Sequence, residues 1–155
     1  MIYVGLGSNL GDRDAYLEAA VRQIAGLPEV RIMGRSTWWE NPAVCGDFQP
    51  PFLNGVLGLE SSRSAGELIG EFQRIERELG RERKGDQSAR TLDLDLLLMG
   101  EDILSEDELE IPHPRMHERL FVLIPMMEIA PDAIHPVLGK TVKDLYGALE
   151  WGVYG

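Results

Sequence analysis

The chain has 155 residues, with 26 acidic against 15 basic side chains and a formal charge of −11. That balance excludes a general nucleic-acid binder, which needs a basic face, but not a protein that takes one nucleotide as its substrate. The length fits a single domain over residues 1–155 with a substantial core, and the lone Cys45 excludes an internal disulfide and fits a reducing cytoplasm.

No linker, repeat or biased segment divides the chain. The N-terminus starts directly as a strand, without the basic and apolar run of an export signal. The longest apolar stretch, Leu120 to Met127, is too short to span a bilayer and contains Pro125. Met1 to Leu6 reads as a strand, and Gly5-Leu-Gly-Ser-Asn-Leu-Gly-Asp12 as a tight strand-to-helix turn. That run lacks both GxGxxG spacing and a following Lys-Ser/Thr. Asp14 to Ala25 carries Leu17, Ala20, Val21 and Ile24 at helical spacing, and Gly26 and Pro28 stop it. Val30 to Trp39 reads as a second strand, strongest at Ser36 to Trp39. Asn41 to Pro51 is a loop, and Phe52 to Leu59 a third strand.

Ser64 is placed to cap a helix running to Leu79, with Glu67 completing a capping box. Ala65, Leu68, Ile69, Phe72, Ile75 and Leu79 form its apolar stripe. After a polar loop, Arg81 to Thr91, comes a fourth strand, Leu92 to Met99. The order β-α-β-β-α-β predicts an α+β fold, a ferredoxin-like α/β sandwich with a mainly antiparallel sheet. The segment Ile111-Pro-His-Pro-Arg-Met-His-Glu-Arg119, the apolar stretch from Leu120 and a helix from Val142 to Leu149 follow. They are too short for a second domain and are expected to pack on the first as a C-terminal extension.

The chemistry centres on Arg90-Thr-Leu-Asp-Leu-Asp95. Leu92, Leu94 and Leu96 alternate with Asp93 and Asp95, so the leucines face a core and both carboxylates share the other face, with Cα atoms roughly 6.6 Å apart. Two hard carboxylates so held suit one or two Mg²⁺ ions. Five of the fifteen cationic side chains, Arg77, Arg81, Arg83, Lys84 and Arg90, lie just upstream. Arginine grips phosphate in bidentate fashion, so this loop beside metal-binding acids points to chemistry on a nucleoside triphosphate. Phe52 and Asn54 share a strand face, an aromatic and an amide suited to a flat, hydrogen-bonding heterocycle. Of Trp38 and Trp39, which face opposite ways, one is expected in the core. His117, His135 and Cys45 read as structural, and no Cys/His spacing points to zinc.

These segments resemble the 6-hydroxymethyl-7,8-dihydropterin pyrophosphokinase family over essentially the whole chain. The resemblance rests on Gly5-Leu-Gly-Ser-Asn-Leu-Gly11, Phe52-Leu-Asn54, Gln73-Arg-Ile-Glu76, Gly80-Arg-Glu-Arg83, Arg90-Thr-Leu-Asp-Leu-Asp95, Ile111-Pro-His113 and Arg119-Leu-Phe121, in that order. It implies transfer of the β,γ-diphosphate of ATP to the pterin hydroxymethyl group with release of AMP, in folate biosynthesis. It implies two Mg²⁺ ions on Asp93 and Asp95, with Arg81 and Arg90 neutralising the triphosphate. Gln73, Glu76, Arg83, His113 and Arg119 would be further ATP contacts. Phe52 and Phe121 would sandwich the pterin, Asn54 would bond its edge, and backbone groups around Asn41 and Val44 would read the rest. The protein is expected to act as a cytoplasmic monomer on these small molecules, with neither nucleic acid nor membrane as partner.

The chain departs from the family pattern at Gln87-Ser-Ala89, where an Arg-Trp-Gly-Pro stretch is usual, and at Pro114, where an aromatic is common. The first departure implies a working but altered closure over the substrate. Two other readings stand beside the kinase: a Mg²⁺-dependent phosphohydrolase with water as acceptor, and a non-catalytic RNA-binding or regulatory module on the same sandwich.

Overall fold

Strand β1 (Ile2–Ser8) is the centre of the sheet, because both of its edges are paired antiparallel: to β4 (Phe52–Ser61) on one side and to β5 (Asp93–Met99) on the other. The computed structural model describes residues 1–9, 11–41, 52–79, 92–106 and 109–149. In chain order the elements are β1, α1 (Arg13–Ala25), β2 (Val30–Arg35), β3 (Trp39–Asn41), β4, α2 (Ala65–Leu79), β5, the hairpin β6 (Leu104–Glu106) and β7 (Leu109–Ile111), a 3-10 turn (Met116–Glu118), α3 (Leu120–Ile129), the short pair β8 (Ile134–His135) and β9 (Lys140–Thr141), and α4 (Val142–Ala148). The sheet order is β2-β4-β1-β5, with β3 also paired to β4. Every pairing is antiparallel. This is the expected ferredoxin-like sandwich, with the C-terminal elements packed onto it.

One face of the sheet carries Val4, Leu6, Leu57, Leu59, Leu94 and Leu96. It is closed by Leu17, Ala20 and Ile24 of α1 and Leu68, Phe72 and Ile75 of α2, all buried. The capping box forms as expected: the Ser64 N–H donates to Glu67 Oε1 at 2.9 Å and the Glu67 N–H to Ser64 Oγ at 3.2 Å. Caps of this kind are worth about 1 kcal/mol.

Among the described residues, the opposite face is covered over part of its length. Val56, Leu97 and Leu98 are buried there against Met116, Val122, Leu123, Met126, Val142 and Leu145. Leu97 and Leu98 are adjacent, yet both serve the same core. The cause is a β-bulge: Val4 pairs with Leu96 and Tyr3 with Leu98, leaving Leu97 as the extra residue. Two successive residues on one strand then oppose one gap on its partner, and the strict alternation of faces is broken.

Two expectations need correction. The Gly5–Ser8 part of the presumed turn continues β1, with Gly5 opposite Asp95 and Gly7 opposite Asp93. The second strand breaks at Ser36–Trp38, the stretch expected to be strongest, and resumes as β3. There the buried Val56 N–H donates to Ser36 Oγ at 2.9 Å, a side chain standing in for the ladder. The apolar stretch after Arg119 is helix α3, with Pro125 inside it. Of the two tryptophans, Trp38 packs against the core under α1 and Trp39 is 43 % exposed.

Candidate active site

Asp93 and Asp95 open β5, at the end of the sheet face that α3 and α4 leave uncovered. The expected alternation holds: Leu94 and Leu96 are buried, Asp93 is half-buried and Asp95 exposed. Both carboxylates line a cleft of about 530 Å³ between α2, β5 and the β6–β7 hairpin, together with Gln73, Glu76 and His113.

Strand β5 is at the sheet edge, so alternate backbone groups have no neighbouring strand. Glu76 fills that need from α2. Its side chain is buried, 6 % exposed, and its Oε2 accepts the Leu94 N–H at 2.8 Å. One buried carboxylate oxygen thus grips the residue between the two aspartates, and this fixes their strand relative to α2.

His113 is tied to the same strand further along. Its N–H donates to the carbonyl of Leu97, the bulged residue, at 2.9 Å. Its Nδ1 accepts the Arg115 N–H at 3.2 Å, so the neutral ring carries its proton on Nε2 and offers a donor. Burial, then the charge of Arg119, pushes the imidazole below its ordinary pKa, with Glu110 opposing and Arg115 adding to the fall. At neutral pH it is an uncharged hydrogen-bond donor facing the cleft.

A second group lies one strand across. Gly7 stands between Asp93 on β5 and Asn54 on β4, and Trp39 of β3 pairs with Asn54 in turn. Asp93, Gly7, Asn54 and Trp39 form one row over four strands, on one face. With strands about 4.8 Å apart, Asp93 and Asn54 are separated by roughly 10 Å. Gly7 makes the row possible, because a Cβ there would lie 2.7 Å from Asn54 Nδ2 and 3.8 Å from Phe52 Cδ1. Phe52 and Asn54 therefore crowd together over a residue without a side chain. Asn54 is only 8 % exposed, and its Oδ1 has no hydrogen-bond partner among the described residues. An unmet buried acceptor beside an aromatic ring suits a polar, flat ligand.

Arg119 and Phe121 lie at the start of α3, with the Arg119 guanidinium carbon 5.5 Å from the Phe121 ring centroid, a cation–π contact. Neither lines the cleft, and neither do Phe52 and Asn54. The expected nucleotide residues Gln73, Glu76 and His113 thus gather with both aspartates, whereas Arg119 and the expected pterin residues Phe52, Asn54 and Phe121 lie off that cleft. Arg81, Arg83, Arg90 and Val44, and the departure at Gln87–Ala89, lie outside the described residues, as does Cys45. Of Asn41 only the backbone is described, at the end of β3 opposite Phe52.

The site parts that went unread are Gly5 and Gly7 as strand floor and Leu97 as the bulge that hands its carbonyl to His113. A signal for the first was present: Val4-Gly5-Leu6-Gly7 continues the strand period of two.

The donor set suits Mg²⁺. Among the described residues no cluster of three or more His, Cys, Asp or Glu side chains is arranged to hold a metal. Two oxygen donors beside an open cleft are what a cation needs that keeps several waters and takes the rest of its shell from phosphates.

Comparison with known proteins bears on the family and the fold. Residues 3–131 match the family model for 7,8-dihydro-6-hydroxymethylpterin-pyrophosphokinase. A 2-amino-4-hydroxy-6-hydroxymethyldihydropteridine pyrophosphokinase from Haemophilus influenzae is 40 % identical over 134 residues, covering 86 % of this chain and 84 % of its own. One of the same description from Bacillus subtilis is 42 % identical over 127 residues, covering 82 % and 76 %. The folic acid synthesis protein fol1 of Pneumocystis carinii is 35 % identical over 145 residues; the match takes in 94 % of this chain but spans only 20 % of that longer protein. Among solved structures, a Plasmodium falciparum HPPK-DHPS triple mutant aligns with a TM-score of 0.72 at 15 % identity, over 95 % of this chain and 41 % of the other. That likeness supports the fold alone.

Proposed function

The chain belongs to the 7,8-dihydro-6-hydroxymethylpterin-pyrophosphokinase family, and from that premise we propose that it transfers the β,γ-diphosphate of ATP to 6-hydroxymethyl-7,8-dihydropterin, releasing AMP, in folate biosynthesis. The observation that carries this reading is the row Asp93–Gly7–Asn54. It sets a pair of hard carboxylates on one side of a bare strand and an unmet amide beside an aromatic ring on the other. In this reading phosphate chemistry and heterocycle recognition are adjacent on one surface.

Asp93 and Asp95 hold two Mg²⁺ ions in this reading, and the ions would supply charge neutralisation and alignment for the triphosphate. Glu76 keeps the aspartate strand in place against α2. Gln73 and neutral His113 meet the nucleotide from the cleft wall, the latter through Nε2–H, and Arg119 adds a cation from the start of α3. Arg81, Arg83 and Arg90 are assigned to the phosphates on the family pattern. Phe52 and Phe121 take the two faces of the pterin, and Asn54 its polar edge; backbone groups at Asn41 and Val44 complete it. The hydroxymethyl oxygen then attacks the β-phosphorus, the bond from that phosphorus to the α,β-bridging oxygen breaks, AMP leaves, and the hydroxyl proton is released. The protein's part is mainly alignment, for which no covalent intermediate is needed.

The reading treats residues 1–155 as one domain acting as a monomer in the cytoplasm, with neither nucleic acid nor membrane as partner. No helix among the described residues is long and apolar enough to cross a membrane. Incubation with ATP, Mg²⁺ and the reduced hydroxymethylpterin is expected to yield AMP and the pterin diphosphate in equal amounts. ADP or free phosphate as the product would replace the kinase by a phosphohydrolase.

A further inference from the structure

The connection between β2 and β3 is held from both sheet faces by carboxylates reaching in from helices. On the α1 side, Glu18 accepts from Arg35 Nη2 at 2.6 Å and from Trp38 Nε1 at 2.9 Å. On the α3 side, a single oxygen of Glu128, Oε1, accepts the Thr37 N–H at 3.0 Å, the Thr37 hydroxyl at 3.0 Å and the Trp39 Nε1–H at 3.1 Å. The first pair fastens the break to the closed core. The second lies on the face that carries Asn54.

We propose that Glu128 is a positioning residue for the pterin side of the site, clamping Thr37 and Trp39 to α3 so that the Asn54–Trp39 pair and Phe121 keep a fixed spacing. Three facts support this. Phe121 and Glu128 are seven residues apart on one helix, which is close to two turns, so they project from the same side about 10 Å apart. Trp39 is the residue in register with Asn54, and β3 is three residues long, a strand that β4 alone pairs. The strand has another side-chain tie, Arg13 Nη2 donating to Glu40 at 2.7 Å, but Glu40 alternates with Trp39 and does not hold the indole. The Glu128 carboxylate is also held in its charged form. Burial pushes its pKa up, but the hydrogen bonds from Thr37 and Trp39 outweigh that and leave it below the ordinary range. Charged, one oxygen can serve three donors at once.

The clamp therefore sets the gap between α3, which brings Phe121, and the strand pair that brings Phe52, Asn54 and Trp39. Among the described residues the hydrogen bonds that Glu128 accepts come from Thr37 and Trp39, neither of which lines the cleft of Gln73, Asp93, Asp95 and His113. Loss of the clamp should be felt by one substrate and not by the other.

This inference rests on the pterin reading above, and the test separates the two. Wild type, Glu128→Ala and Glu128→Gln are titrated with oxidised 6-hydroxymethylpterin, followed by its own fluorescence. MgATP affinity, kcat, both KM values and Tm are measured on the same preparations. Glu128→Ala is expected to weaken pterin binding about tenfold and raise the pterin KM in parallel, with the KM for MgATP unchanged. Glu128→Gln, which keeps an acceptor oxygen, should recover most of that loss. Trp39→Phe removes one donor alone and should cost about threefold, so it serves if the alanine variant does not fold. A wild type that binds no pterin would sink the pterin reading itself. A wild type that binds it, with variants whose pterin affinity is unchanged or whose two KM values rise together, would overturn the clamp.

Discussion

The two halves of β5 do opposite work. Its first half, Asp93 to Leu96, alternates strictly, and so offers two carboxylates to a cleft while burying two leucines under α2. Its second half, Leu97 and Leu98, points two neighbouring side chains into the core beneath α3 and α4. The bulge at Leu97 is the changeover, and it turns that residue's carbonyl to His113. A single strand can thus be site at one end and scaffold at the other, provided one extra residue resets its faces. The β1 strand beside it makes the same transition more simply, with Gly5 and Gly7 next to the aspartates and Tyr3 near the bulge.

That division can be broken from either end. The largest effect is expected at Asp95. Asp95→Ala should lower turnover by about a thousandfold or more, because it removes half of the proposed metal-holding pair. The residue is exposed, so stability should move by less than about 0.5 kcal/mol. Mg²⁺-dependent binding of a non-hydrolysable ATP analogue, followed calorimetrically, should disappear with it. Near-native activity would remove the aspartates from the mechanism.

Leu97→Ala attacks the scaffold half. The side chain is 2 % exposed, and truncation in such a core costs about 2–5 kcal/mol. Denaturant unfolding should register that loss, while the folded fraction at low temperature should still bind MgATP. Loss of nucleotide binding without loss of stability would mean that the two halves are not separable.

Gly7→Ala sharpens the comparison within the site half. The new Cβ would lie 2.7 Å from Asn54 Nδ2, with the Phe52 ring just beyond, so the amide must give way. Pterin affinity should fall about tenfold. MgATP affinity should fall less, because the three atoms nearest the added Cβ belong to Asn54 and Phe52, although Asp93 is paired with Gly7 across the strand.

The smallest effect concerns pH. His113 and His135 both have imidazoles pushed below the ordinary value, chiefly by burial, with Arg119 contributing at the first and His117 at the second. The unfolded chain, titrating near about 6.5, binds protons that the folded chain refuses. Stability therefore rises with pH across that window and falls on acidification from about pH 7 towards 5. The depressed carboxylates, such as Glu18 and Glu128, act only below that range. His135→Gln should flatten the Tm profile between these limits; an unchanged slope would assign it to other groups.

Much of this arrangement is legible in the chain itself. The alternation around Asp93 and Asp95, the stripes of α1 and α2 and the Ser64–Glu67 capping box each depend on neighbours close in sequence, and periodicity reports them directly. The strand break at Ser36–Trp38 does not, because its cause is tertiary. Ser36 replaces a ladder partner with its hydroxyl. Trp38 lies so close over Gly55 that a Cβ there would be 2.4 Å from the indole. Helix α3 is apolar nearly all round, so it shows no stripe, and Pro125 hides it further. For the site, residue type identified Asp93, Asp95, Phe52 and Asn54. The placing of Gly7 between them, and the grip of Glu76 and Glu128, depend on register and on contacts from distant helices, which no local pattern encodes.

The capture of Leu94 by Glu76 and of the Leu97 carbonyl by His113 has a consequence beyond catalysis. An outermost strand normally advertises free amides and carbonyls to any passing extended chain, and so invites self-association. Here the rungs at both positions are already spoken for by the protein's own side chain and loop. Along the β5 border a foreign strand finds two of its docking groups already taken, and a ligand approaching there meets carboxylates.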